Sequence, residues 1–109
     1  MQAFKNYKEV KEAVSECVIL LIFAKSENCT VCEAVLPKVK QLVNEEKIHN
    51  VMIGIEDVPE FAGQFSVFTA PTILLFVSGK EVYRQSRFIK WDELNKEIKK
   101  WKNAIENRG

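Results

Sequence analysis

The sequence carries one histidine, three prolines and four glycines in 109 residues, and it has no long apolar run. A lone histidine, His49, leaves no His/Cys spacing of the kind a tetrahedral metal site needs. With no Pro/Gly/Ser-rich linker, repeat or low-complexity tract, the chain is expected to form one domain over residues 1–109. Its longest apolar stretch, Cys17 to Ala24, falls far below the roughly 20 residues that cross a bilayer. An excess of one charge is also missing: 16 Lys and Arg face 15 Asp and Glu, a net +1 that favours neither nucleic acid nor an acidic membrane as partner. The start, Met1-Gln2-Ala3-Phe4-Lys5, lacks the apolar core and cleavage site of a secretory signal, so the cytoplasm is the expected location.

What is present is the patterning of an ordinary globular α/β chain, 47% hydrophobic and 28% charged. Gln2 to Phe4 reads as a short edge strand, and Tyr7 to Glu16 carries Val10, Ala13 and Val14 at helical spacing. Val18 to Phe23 is a continuous apolar run, the pattern of a strand buried on both faces. From Thr30 to about Glu46, Cys32, Val35, Leu36, Val39 and Val43 recur every three or four residues, predicting a long helix with a kink at Pro37. Val51 to Ile55 reads as a further strand and Pro59 to Phe65 as a short helix opened by proline. Ile73 to Val77, the turn Ser78-Gly79 and Glu81 to Ser86 form a hairpin. A last helix from about Lys90 places Trp91, Leu94, Ile98, Trp101 and Ile105 on one face, with Lys99, Lys100 and Lys102 on its solvated side. Strands alternating with helices and closed by a hairpin predict an α/β fold: a mixed central sheet of about five strands with helices on both faces.

Three cysteines in a chain without an export signal argue for reactive or metal-binding thiols over a disulfide framework. Cys17 reads as a small buried hydrophobe at the start of a strand. Cys29-Thr30-Val31-Cys32 is different, because it follows a strand and opens a helix, where free backbone N–H groups and the helix dipole stabilise a thiolate. In that arrangement Cys29 is the attacking nucleophile, and Cys32, one turn further on the core-facing side, resolves the mixed disulfide.

Cys29-Thr30-Val31-Cys32, the helix proline Pro37, and Phe68-Thr69-Ala70-Pro71-Thr72 leading into Ile73-Leu74-Leu75-Phe76 and Ser78-Gly79-Lys80 together resemble the thioredoxin family. The resemblance covers nearly the whole chain in the order of its elements. It implies a thioredoxin fold, a cis bond before Pro71, and substrate pairing by the backbone of Ala70. It further implies a protein disulfide reductase with catalytic Cys29 and Cys32 and substrate contacts from Asn28, Thr30, Val31, Ala70 and Pro71. The implied partners are protein disulfides and a flavoenzyme of the thioredoxin-reductase type; no cofactor or resident metal is expected, and a monomer suffices.

The chain also departs from the family pattern. Asn28 stands where a tryptophan is usual, and Thr30-Val31 replaces Gly-Pro. Residues between the cysteines tune thiol pKa and hence reduction potential. The buried acid and its lysine partner, which in the family assist the resolving thiol, are replaced by Phe23 and Met52. Proton transfer at Cys32 is then left to water or to Lys25, Glu27 or Glu33, and slower resolution is expected. A family glycine after the last strand is replaced near Arg87 or Phe88, which predicts a narrower substrate range. Two further readings stay open at this stage: an adaptor of the same fold with negligible turnover, and a metal or iron–sulfur site shared across a dimer through paired Cys29 and Cys32.

Overall fold

The computed structural model describes residues 1–107, so the last two residues of the expected 1–109 domain lie outside the described residues. The elements follow the expected order: β1 (Gln2–Phe4), α1 (Tyr7–Glu16), β2 (Ile19–Lys25), α2 (Thr30–Glu46), β3 (His49–Gly54), α3 (Pro59–Phe65), β4 (Thr72–Val77), β5 (Lys80–Ser86) and α4 (Trp91–Glu106). They build one five-stranded sheet in the order β1-β3-β2-β4-β5. β1, β3 and β2 run parallel, whereas β4 is antiparallel to both β2 and β5.

Period-two alternation along the central strands sorts the core into two layers. Ile19, Leu21 and Phe23 of β2, with Ile73 and Leu75 of β4, pack beneath Cys32, Val39 and Val43 of α2 and Leu94 and Ile98 of α4. Leu20, Ile22 and Ala24, with Val51, Ile53, Leu74 and Phe76, pack against Val10 of α1 and Phe61 of α3. Both faces of β2 and β4 are thus covered, which is why these strands read as unbroken apolar runs. Val35, Leu36, Trp91, Trp101 and Ile105 sit partly buried at the margin of the first layer, as their helical spacing implied.

The start of β2 differs from expectation. Val18 lies outside the strand and is exposed, and its carbonyl accepts the N–H of Ser78 from the hairpin turn. Cys17 does not open a strand but caps α1, half-buried, with its N–H on the carbonyl of Ala13. Hydrophobicity alone continued the run backwards by one residue, because an apolar side chain in a junction reads like one in a strand. The lysines of α4 add a contact that their spacing did not show. Lys99 and Lys102 reach across to Glu46 at the end of α2, at 3.1 and 3.5 Å, and Lys102 also donates to the Glu46 carbonyl at 2.7 Å. Lys99 and Lys102 thus tie two helices together, while Lys99 and Lys100 are exposed as expected. α2 runs without interruption through Pro37.

The topology decides where chemistry occurs. Because β4 runs opposite to β2, and β5 opposite to β4, the end of β2, the start of β4 and the end of β5 all fall at one end of the sheet. Residues 26–32, 68–72 and 86–90 meet there. His49 begins β3, opposite Leu20, at the other end of the strand.

Candidate active site

β2 leads out of the core through Lys25, and the chain turns into α2 at Asn28, whose φ of 55° lies in the left-handed region. Asparagine enters that region more readily than most residues, which fits it for this turn. Cys29 is the N-cap of α2, and its Sγ accepts the backbone N–H of Cys32 at 3.1 Å. A sulfur in this position takes the place of a capping oxygen and receives one of the N–H groups that a helix start leaves without a partner. The same hydrogen bond and the helix dipole favour negative charge on Cys29 once the pair is reduced.

Cys29 and Cys32 are joined as a disulfide with Cα atoms 5.2 Å apart. Their exposures differ: Cys29 is half-buried, whereas Cys32 is 3% exposed and belongs to the core layer beneath α2. An incoming group therefore meets Cys29 first. Thr30 and Val31 are exposed beside it, Val31 at 46%.

The second wall of the site comes from the start of β4. The Ala70–Pro71 peptide bond is cis. Ala70 packs against the same layer as Cys29, and Pro71 is buried. Hydrogen bonds hold this segment from both sides. Thr72, 1% exposed, places its hydroxyl on the Thr69 carbonyl at 2.7 Å and against the Ser86 hydroxyl at 3.0 Å, while Arg87 N–H donates to the Pro71 carbonyl at 2.8 Å. Arg87 itself has a φ of 68°, at the centre of a tight turn closed by Phe88 N–H on the Ser86 carbonyl at 3.0 Å. This turn is the region in which the resemblance expects a glycine, near Arg87 or Phe88.

Loop 86–90 is fixed by one side chain. The Gln85 amide accepts Lys90 N–H at 2.6 Å and donates to the Lys90 carbonyl at 3.1 Å. Phe88 is thereby presented to solvent at 85% exposure, and Phe68, on the neighbouring loop, at 75%. Of the four large hydrophobics exposed among the described residues, Val31, Phe68 and Phe88 belong to the three loops of this end, and only Val18 does not.

Beneath the disulfide a cavity of about 160 Å³ opens, lined by Cys29, Cys32, Phe23, Met52, Leu36, Lys25, Glu27 and Glu33 among others. Phe23 and Met52 face one another across β2 and β3, so the two departures from the family pattern occupy one place in space. The three groups named for proton transfer, Lys25, Glu27 and Glu33, also line this cavity.

Glu56 was not singled out in the sequence. Its carboxylate accepts the N–H of Glu27 at 3.3 and 3.4 Å. Lys25 pairs with Gly54 in the parallel ladder, and Glu27 meets Glu56 at the same offset of 29 residues, so the contact continues the strand register into the loops. Among the described residues no group of three or more His, Cys, Asp or Glu is placed to hold a metal ion, and no helix is long and apolar enough to cross a membrane.

A cysteine pair that caps a helix, beside a cis-proline loop on a five-stranded mixed sheet, defines a thioredoxin-fold dithiol protein. The chain belongs to the thioredoxin family, whose family model matches residues 2–100. It is similar to the thioredoxin-like protein YdfQ of Bacillus subtilis, 32% identical over 103 residues that cover 92% of this chain and 90% of that protein. It is also similar to thioredoxin 1 of Chlorobaculum tepidum, 32% identical over 74 residues covering 66% of this chain and 73% of that one. Among solved structures, Plasmodium falciparum thioredoxin superposes with a TM-score of 0.83 at 16% identity, covering 92% of this chain and 98% of the other. Fasciola hepatica thioredoxin gives 0.82 at 21% identity, with the same coverage, and both likenesses show the shared fold.

Proposed function

We propose that this protein reduces disulfides of other proteins in the cytoplasm, with Cys29 as the attacking thiolate and Cys32 as the resolving thiol. The single observation that carries the reading is the disulfide at the start of α2, with its outer sulfur at the surface and its inner one in the core. Membership of the thioredoxin family supports disulfide exchange as the chemistry.

In the reduced protein, the Cys29 thiolate attacks one sulfur of a partner's disulfide, forming a mixed disulfide and releasing the partner's other sulfur as thiolate. Cys32 then loses its proton and attacks Cys29 Sγ. The Cys29–Cys32 bond forms, the mixed bond breaks, and the second partner sulfur leaves as a thiolate that takes up a proton. Two electrons pass from the protein to the partner. Asn28, Thr30 and Val31 contact the substrate on one side, Ala70 and Pro71 on the other, and the half-buried Ala70 segment offers main-chain groups to an extended peptide. A flavoenzyme reductase of the thioredoxin-reductase type returns the electrons, and the protein works as a monomer.

An equilibrium titration against a glutathione or dithiothreitol buffer, read by mass after alkylation, tests this reading. A reversible two-electron transition within roughly −200 to −270 mV is expected. A pair that stays locked in one state overturns it. The apolar Phe23–Met52 pairing favours one alternative, a docking adaptor with slow turnover. A cellular role that survives Cys29→Ser would select the adaptor.

A further inference from the structure

Lys25 occupies an unusual position for a lysine. It is the last residue of β2 and continues the parity of Ile19, Leu21 and Phe23, the residues that face α2 and Cys32. It is half-buried, it lines the cavity that opens onto both cysteines, and among the described residues it forms no ion pair. The remaining charged groups around that cavity are Glu27 from the loop after β2 and Glu33 from the first turn of α2, both exposed. Glu56, from the loop after β3, is exposed and directed to the Glu27 N–H. β3 contributes neutral Met52, β2 neutral Phe23 and α2 neutral Leu36.

Cys32 is the buried sulfur, and burial opposes its ionisation. No carboxylate stands at the Phe23–Met52 position to draw its proton away. A cation at the cavity wall acts on the same equilibrium by stabilising the thiolate instead of binding the proton. Screening weakens the exposed residues Glu27 and Glu33 more than it weakens half-buried Lys25.

We propose that Lys25 is a positioning residue of the resolving step, its ammonium group favouring the Cys32 thiolate that attacks the mixed disulfide. The inference rests on the disulfide-exchange reading. In the step itself the Cys32 proton passes to solvent water in the cavity mouth, the Cys32–Cys29 bond forms, and the partner's sulfur leaves with the bonding pair. Lys25 forms and breaks no covalent bond to sulfur in the step.

The test uses a Cys17→Ala/Cys29→Ser background, in which Cys32 is the only thiol and its thiolate absorbance is followed against pH. Lys25→Gln raises the midpoint by about half to one pH unit, a three- to tenfold loss of thiolate at a given pH below it. Lys25→Arg restores the parent midpoint, and Glu33→Gln moves it the other way. A midpoint unchanged in Lys25→Gln, or one that Lys25→Arg shifts as far as Lys25→Gln does, overturns the proposal. Should Lys25→Gln fail to fold in a thermal melt, Lys25→Met keeps the unbranched stem and carries the same expectation. The titration involves no turnover, so the two readings fail separately. A native pair that does not interconvert removes the exchange function, whereas a reversible pair with a midpoint indifferent to Lys25 removes only this role.

Discussion

Phe23 and Met52 are register partners across the parallel strands β2 and β3, and both wall the cavity beneath the Cys29–Cys32 disulfide. A carboxylate at Phe23 would be buried completely, since that side chain is 0% exposed, whereas Met52 is only half-buried. Phe23→Asp alone is expected to destabilise the protein by about 3 kcal/mol or more, through the lost ring and an unpaired buried acid. Adding Met52→Lys recovers part of that loss, because a lysine there reaches the acid while its stem stays packed. Urea denaturation of the two single variants and the double variant measures the coupling.

The difference in exposure between the two cysteines predicts what can be trapped. Cys32→Ser accumulates mixed disulfides through Cys29, and Cys29→Ser accumulates none, although both abolish turnover. Non-reducing gels followed by mass measurement of the adducts distinguish the two.

The apolar rim gives a prediction on substrate size. Phe68→Ser/Phe88→Ser is expected to slow reduction of a protein disulfide about tenfold, the equivalent of losing roughly 1.4 kcal/mol of docking. Reduction of a small aliphatic disulfide changes by less than about twofold, and stability stays within ~0.5 kcal/mol because both rings are exposed. Parallel rate measurements with the two substrates provide the check.

Arg87 holds a left-handed conformation that costs an L-residue about 1–2 kcal/mol. Arg87→Gly removes that cost but adds about 0.4–1 kcal/mol of unfolded-state freedom, so a net gain of about 0.5 kcal/mol is expected by denaturation. The N–H to the Pro71 carbonyl is kept. With the side chain gone, competition assays with several protein disulfides should show a broader range.

Glu46 predicts a pH dependence far from the dithiol. Burial alone would raise its carboxyl pKa, but hydrogen bonds and charge from Lys99 and Lys102 outweigh it and leave the pKa below the ordinary value. A depressed folded-state pKa contributes stability above the unfolded-state value, about 4.3 for glutamate, and that contribution is lost as pH falls through the folded-state pKa. Glu46→Gln therefore lowers stability by about 1 kcal/mol at pH 7, and the difference from the parent closes on acidification below pH 4. Thermal melts at both pH values test it.

Most of this architecture was readable because the longer helices carry an apolar period and the central strands a continuous apolar run. α1 and α3 fall within the ranges their apolar spacing and proline placement gave, and β2 and β4 announce burial on both faces. The dithiol was legible from Cys29 and Cys32 at the junction of a strand and a helix, and the absence of the acid–lysine pair at Phe23 and Met52 from the family resemblance. Contacts made by residues on different elements were not. The Glu46 tie to Lys99 and Lys102, the Gln85 clamp on Lys90 and the Glu56 contact with Glu27 depend on register and helix docking, which local spacing does not encode. The solvated reading of the α4 lysines holds for exposed Lys99 and Lys100, but it did not contain the contacts of Lys99 and Lys102 with Glu46.

The dithiol and the loops that flank it come from widely separated parts of the chain, with Cys29 and Cys32 in its first third and Pro71 and Phe88 in its second half. Synthesis proceeds from the N-terminus, so both reactive cysteines and Cys17 leave the ribosome before β4 and β5 exist to cover their neighbourhood. The native pair, three residues apart, needs only the first turn of α2 to meet, whereas Cys17 precedes β2 and Cys29 follows it, so the extended strand itself keeps the third thiol away from the pair.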